Sequence, residues 1–216
     1  MTQTQTPFRL VVLDVDSTLI ENEVIELIAA RAGTLEMVAD VTARAMRGEL
    51  DFSASLRERV ATLAGLPVST LDDVRREVSV TRGVPELIAG VHAVGGHVGV
   101  VSGGFHEVLD PLAESLGIDF WKANRFEVVD GLLSGRVMGE IVDAQAKADT
   151  LAHWANDLGL ELTQTIAVGD GANDLKMMAI AGLSVAFDAK PVVNERADVV
   201  LTERDLSVVL DLMGLR

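Results

Sequence analysis

The amino-acid sequence predicts a doubly wound α/β fold, a parallel sheet with helices on both faces and a small helical unit inserted after the first strand. Three observations carry this. Short Val- and Leu-rich runs without alternation recur along the chain, as strands covered on both faces require. Helical patterns separate those runs, which is the signature of βαβ units. Between Glu21 and about Arg82 the alternation stops, and helical stretches follow one another with no convincing strand.

The elements follow in order. The first strand is placed at Phe8–Leu13, with further strands at His97–Val101, Thr165–Val168, Leu183–Phe187 and, shorter, Asp198–Leu201. Helices are expected over Val84–Val94, Glu107–Leu116, Lys147–Leu158, Leu175–Ala181 and Leu206–Leu210. Asp130-Gly131, between Phe126–Val129 and Leu132–Val137, reads as the turn of a hairpin appended to the sheet. The inserted helices are expected at Glu23–Ala32, Leu35–Met46, Ser53–Leu63 and Thr70–Val78, with turns at Gly33, Gly48-Glu49 and Gly65-Leu66-Pro67. Residues 1–20 and 83–216 are thus expected as one α/β domain and residues 21–82 as a helical unit facing the carboxyl edge of its sheet. Ligands of open α/β sheets bind at that edge.

Composition narrows the partners. The chain has 216 residues, enough for a buried core without a disulfide scaffold. Its net charge of −15 repels phosphate backbones and anionic lipid surfaces, so neither nucleic acid nor membrane is an expected partner. Cysteine is absent, which removes thiolate metal sites and cysteine nucleophiles and fits a reducing cytoplasm, where the protein is expected. Met1 to Pro7 carries no secretory signal pattern. Leu87 to Phe105 lacks Asp, Glu, Lys and Arg, but Gly95, Gly96, His97 and Gly99 break it, so it reads as helix, turn and strand.

Three polar clusters follow strand-like runs. In Asp14-Val15-Asp16-Ser17-Thr18, residues two apart in an extended segment point the same way, so both carboxylates face one cavity. Two carboxylates at one site divide the labour between an ionised nucleophile or metal ligand and a proton donor. In Gly169-Asp170-Gly171-Ala172-Asn173-Asp174, the glycines allow close backbone approach, and the aspartates offer the hard oxygens that Mg²⁺ takes. Ser102-Gly103-Gly104 reads as a strand-to-helix turn able to hold an anion. Lys147 opens a later helix, where its charge opposes the macrodipole. With four aspartates at one edge, a divalent cation and Lys147 leave one negative charge, and protonation of Asp16 brings the site to zero. A phosphate dianion is then admissible.

This ordered set of motifs resembles the haloacid dehalogenase superfamily of phosphatases, with its HAD-like, Rossmannoid sheet, and more closely the phosphoserine phosphatases within it. The resemblance runs from about Phe8 to Leu210, and the closer match rests on Asp16–Glu23, Ser102–Phe105 and Gly169–Leu175. It implies Mg²⁺-dependent hydrolysis of O-phospho-L-serine, the last step of serine biosynthesis, through an aspartyl-phosphate on Asp14. Asp16 would be the proton donor and acceptor. Asp14, Asp170 and the carbonyl of Asp16 would hold Mg²⁺, and Ser102, Gly103, Lys147 and Asn173 would hold the phosphoryl group. Thr18 and Asp174 would support them from behind. The inserted helices resemble the family's cap, with Glu23 and Arg59 matching positions that bind the amino and carboxylate groups, and Met46 and Phe52 matching residues that close over the ligand. Some relatives carry an N-terminal regulatory domain. Only seven residues precede the first strand here, so feedback through such a domain is not expected.

Two alternatives keep parts of this chemistry. The same site could hydrolyse another small phosphomonoester or pass its phosphoryl group to an alcohol. A receiver-like signalling module shares an aspartate, a lysine and an acidic pocket, but lacks the second carboxylate two residues on and the helical unit. The four histidines do not cluster in sequence, Trp121 and Trp154 read as packing residues, and Val15 is assigned no functional meaning. A monomer and a homodimer are both compatible with the sequence.

Overall fold

Strand β1 (Leu10–Leu13) is buried at all four positions, which explains why its sequence does not alternate. Val11 and Leu13 pack into one apolar cluster, with Leu87, Val91 and Leu109 among its members. Leu10 and Val12 pack into a second, with Leu151, Ala155 and Met177. Helices cover both faces. The computed structural model describes residues 7–47 and 49–216, and the side chain of Met46 also lies outside the described set.

The remaining strands are β2 (His97–Phe105), β3 (Phe120–Val129), β4 (Leu132–Met138), β5 (Thr165–Gly169), β6 (Leu183–Phe187) and β7 (Val199–Leu201). Their order across the sheet is β4-β3-β2-β1-β5-β6-β7. All pairs are parallel except β3 with β4. Strand β1 lies between β2 and β5, with Leu13 opposite both Val100 and Val168. The chain crosses from one half of the sheet to the other there, so a crevice opens beyond its carboxyl end.

Helices α1 (Val24–Ala32), α2 (Leu35–Met46), α3 (Phe52–Ala61) and α4 (Thr70–Glu77) form the insertion. They are followed by α5 (Val84–Ala93), α6 (His106–Leu116), α7 (Ala144–Asp157), α8 (Leu175–Ile180), α9 (Pro191–Asn194) and α10 (Val209–Leu212). Gly33 ends α1 in the left-handed conformation with φ of 70°, where a Cβ would be strained.

The insertion is tied to the sheet twice. Its two connecting segments run side by side, with Ile20 bridged to Val80, Glu21 N–H donating to the Ser79 carbonyl at 2.9 Å and Thr81 N–H to the Leu19 carbonyl at 2.9 Å. The turn after α3 also meets the β3–β4 hairpin. Gly65 N–H donates to the Leu133 carbonyl at 2.8 Å, Leu133 N–H to that of Leu66 at 2.9 Å and Val68 N–H to that of Gly131 at 2.9 Å.

Several expectations shift. Strand β1 starts at Leu10, two residues late. Strand β2 continues through Ser102-Gly103-Gly104 to Phe105, and α6 starts only at His106. Ser102-Gly103-Gly104 is therefore an irregular strand segment, with the register against β3 shifting between Val101 and Phe105. The hairpin turn at Asp130-Gly131 is present, with φ of 51° and 77°. Helix α7 begins three residues before Lys147, capped by Asp143. The expected turn at Gly48 lies outside the described residues.

Trp154 packs against Gly99, where an added Cβ would sit 2.7 Å from its ring. Trp121 does more than fill space, because its indole N–H donates to Asp110 at 2.9 Å. His92 and His97, distant from any metal motif in the sequence, flank one carboxylate, Asp119, at 2.8 and 3.8 Å.

Candidate active site

Asp14 ends β1 and is buried. Its Oδ1 accepts from Val15 N–H at 2.7 Å and from Lys147 Nζ at 2.6 Å. Lys147, on α7, is 1 % exposed and donates also to Asp174 Oδ1 at 2.7 Å. The second Asp174 oxygen accepts from Gly171 N–H at 3.0 Å, so both its oxygens are taken by the protein. Gly169 is needed for this packing: a Cβ there would lie 2.4 Å from the Asp174 carboxylate. Close approach, and not a positive φ, is the reason for glycine at 169 and 171.

Asp16 is held from the inserted helices. Its Oδ1 accepts from Val24 N–H, the first residue of α1, at 2.9 Å, and a Cβ at Gly104 would lie 3.0 Å from its Oδ2. Ser102 Oγ, buried, accepts from Gly104 N–H at 2.7 Å. The Gly103 carbonyl accepts from the amide of Asn124 at 2.9 Å, and Asn124 in turn accepts from Val142 N–H at 2.8 Å.

The charges are out of balance. Burial, then the neighbouring Asp174 carboxylate, raise the Asp14 pKa well above the usual carboxylate range. Burial and the charge of Glu23 raise Asp16 to about 7. Burial and Asp174 raise Asp170 to about 6. Burial works against the charge on Lys147, but Asp14 and Asp174 outweigh it and hold the ammonium protonated. Asp14, Asp170 and Asp174 each offer a carboxylate oxygen within 4.8 Å of the others. This is a carboxylate cluster of the kind that holds a metal ion.

Above these groups lies a cavity of about 140 Å³. Asp14, Asp16, Asp170 and Asn173 line it from the sheet edge, and Glu23, Phe52 and Arg59 from the insertion. Glu23 accepts from Ser17 Oγ at 2.8 Å. Arg59 Nε donates to the Ser55 carbonyl at 3.3 Å; burial lowers its pKa while the charges of Glu23 and Asp16 oppose that fall. The Phe52 ring sits directly on Gly103, where a Cβ would lie 2.7 Å from Cζ.

Of the residues expected from the sequence, Asp14, Asp16, Glu23, Phe52, Arg59, Gly103, Asp170 and Asn173 thus line one cavity. Ser102, Lys147 and Asp174 lie buried behind it, in contact with lining residues. Thr18 is also buried, and its hydroxyl has no hydrogen-bond partner among the described residues. For Met46 the structure describes the helix but not the side chain. Lys190 was missed. It lines the cavity with its ammonium 3.8 Å from Asp170, and its place after β6, at the carboxyl edge, was the available signal. Asn124 was also missed, and nothing in its polar stretch marked it.

Comparison with known proteins agrees with this geometry. The chain is 58% identical to phosphoserine phosphatase of Streptomyces coelicolor over 96% of its own length and 50% of that protein. The chain therefore spans about half the length of that curated relative. It is 52% identical to phosphoserine phosphatase of Streptococcus thermophilus, covering 94% of this chain and 95% of that one. A solved structure of a phospho-aspartyl intermediate analogue of phosphoserine phosphatase superposes with a TM-score of 0.90 at 42% identity, over 96% of this chain and 99% of that one. The model for haloacid dehalogenase-like hydrolases matches residues 11–179. With the carboxylates, the lysine and the sheet edge in their places, the chain belongs to the haloacid dehalogenase-like hydrolase family.

Proposed function

We propose that this chain hydrolyses O-phospho-L-serine to L-serine and phosphate, in the cytoplasm and with Mg²⁺. In this reading residues 21–82 act as a cap over an α/β core of residues 1–20 and 83–216. The observation that carries it is one cavity with Asp14, Asp16 and Asp170 on its floor and the oppositely charged Glu23 and Arg59 on its far wall. An amino acid presents one cation and one carboxylate, and that wall offers a partner for each. The Streptococcus thermophilus relative, nearly the same length, bears the name phosphoserine phosphatase.

Asp14 attacks phosphorus with one carboxylate oxygen while the bond from phosphorus to the serine oxygen breaks. Asp16, protonated near neutrality, gives its proton to that leaving oxygen. A water then attacks the aspartyl-phosphate and loses its proton to Asp16, and phosphate leaves with Asp14 restored. Lys147 holds Asp14 in place and offsets charge as the transition state forms. The donor set fits Mg²⁺: hard oxygens, no sulfur, and two excess negative charges once Asp16 is protonated. Asp14, Asp170 and the Asp16 carbonyl would hold the ion, with Asp174 behind them. Bound there, the ion supplies Lewis-acid polarisation of the phosphoryl oxygens.

The test is phosphate release from phosphoserine against a panel of phosphomonoesters, with Mg²⁺ and with chelator. Phosphoserine should be preferred, and chelator should stop turnover. Preference for another ester, or transfer to an added alcohol in place of hydrolysis, would overturn the substrate assignment. Arg59→Ala is expected to lower kcat/KM for phosphoserine by about tenfold to a hundredfold and to spare a simple aryl phosphate. Equal losses on both would assign Arg59 to structure or to the phosphate.

The raised pKa values give a pH dependence. Asp16 near 7 and Asp170 near 6 both exceed the usual aspartate value of 3.8. Their folded state prefers the proton, so their contribution to stability is present below 3.8 and is lost as pH rises through 6 to 7. A divalent cation offsets that loss only where the carboxylates are ionised. Thermal melts should therefore show Mg²⁺ raising Tm more at pH 8 than at pH 5; an equal rise at both would disprove the linkage.

A further inference from the structure

Arg204 lies three residues beyond the end of β7, at the same sheet edge as the cavity but outside its lining. Its guanidinium joins three segments far apart in sequence. Nε donates to Glu21 Oε2 at 2.7 Å, NH1 to Asp188 Oδ2 at 3.0 Å and NH2 to the Ser17 carbonyl at 3.2 Å. The group also lies over the Phe187 ring, 5.4 Å from its centroid. Ser17 follows Asp16 directly, Glu21 stands where the chain enters the inserted helices, and Asp188 begins the loop that carries Lys190.

A second observation singles out those anchor points. Among the described residues, three that are not glycine have positive φ: Ser17 at 57°, Asp188 at 44° and Asp130 in the hairpin turn at 51°. Two of the three are held by Arg204. Left-handed backbone in such residues is unfavourable and persists where surrounding contacts impose it. The planar fork of an arginine can bind several acceptors at once, as a lysine cannot.

We propose that Arg204 is a positioning residue for proton transfer: it clamps the Ser17 turn and thereby aims the Asp16 carboxyl at the leaving oxygen. The inference rests on the phosphatase reading above. Without the clamp, Ser17 relaxes toward ordinary backbone and Asp16 turns with it, while Asp14 and Lys147, held from β1 and α7, stay in place.

Leaving-group chemistry separates this role from a general structural one. The ratio kcat/KM reports events up to departure of the first alcohol. An alkoxide needs the proton from Asp16, whereas p-nitrophenolate leaves without it. The experiment measures kcat/KM for Arg204→Ala at saturating Mg²⁺, so that any weaker hold of the Asp16 carbonyl on the ion is compensated, on simple alkyl and aryl phosphates spanning leaving-group pKa, none carrying an amino-acid head group, beside Mg²⁺-dependent melts. Expected is a loss of about a hundredfold for alkyl esters and less than about threefold for p-nitrophenyl phosphate, within the range that proton transfer contributes. Arg204→Lys, which keeps one charge but not the fork, should fall between. A uniform loss across esters, or none, overturns the inference while leaving the phosphatase reading intact. If Arg204→Ala does not fold, the same leaving-group series on Arg204→Lys decides, a flat profile again being fatal. A wild-type protein inactive on every phosphomonoester sinks both readings.

Discussion

Asp14→Asn is expected to abolish phosphate release, lowering kcat by more than about ten-thousandfold, because an amide oxygen cannot form the acyl-phosphate bond. The loss should leave folding intact. Burial and Asp174 disfavour charge on Asp14, which offsets part of what the buried Lys147 loses when one of its two carboxylate partners becomes an amide. The neutral amide still offers an oxygen to Val15 N–H and to Lys147. The melting temperature without metal should therefore stay within a few degrees of that of the wild type, since Asp174 still holds Lys147. Steady-state phosphate assays and thermal melts on one preparation check both halves. Turnover retained within about tenfold of wild type would remove Asp14 from the nucleophile's place.

Lys147→Ala is expected to fail in the opposite way, losing stability as well as activity. The lysine is buried between Asp14 and Asp174, and its removal leaves two neighbouring carboxylates with no cation. Breaking a buried charge pair from one side costs about 3–5 kcal/mol. Urea unfolding should report a loss of that order at neutral pH, smaller at pH 5, where Asp14, raised by burial, takes up a proton. Mg²⁺ should restore part of the stability, since it would supply positive charge to the same carboxylate cluster. Activity should stay depressed by at least about a hundredfold even with saturating Mg²⁺, because the preorganised ammonium is gone. Unchanged unfolding free energy would show that the carboxylates find another partner.

The contrast between these two residues shows what could be read from the sequence. Asp14, Asp16 and Asp170 stand just beyond apolar strand runs, so the rule that ligands gather at strand ends located them. Lys147 sits inside a helix amid ordinary polar residues. Its burial depends on α7 packing behind β1, a tertiary fact that no local pattern states; the resemblance of the ordered motifs supplied it. Strand β3 shows the same limit in the fold. Its first half, Phe120–Arg125, includes Trp121, Lys122, Asn124 and Arg125 and has no apolar run, because those side chains reach Asp110, Gly103 and solvent. The hairpin arm beyond it was visible from Asp130-Gly131 alone. Ser102-Gly103-Gly104 misled because glycines before a helical pattern read as a turn, whereas β2 absorbs them as an irregularity against β3. Arg204 gave no signal, since its three acceptors lie as much as 187 residues away.

The hydrogen bonds between the β3–β4 hairpin and the turn after α3 bear on how a ligand enters and leaves. A lid attached only at its hinge swings freely, and its opening is set by diffusion. Here the far side of the insertion is joined to the sheet by three backbone bonds, from Gly65, Leu133 and Val68. Lifting the insertion on that side would require those bonds to break, a small local unfolding event in addition to any hinge rotation. Such events take microseconds to seconds. The hairpin thus works as a latch on that side, so the dwell time of a molecule held in the cavity follows the breaking and re-forming of those bonds.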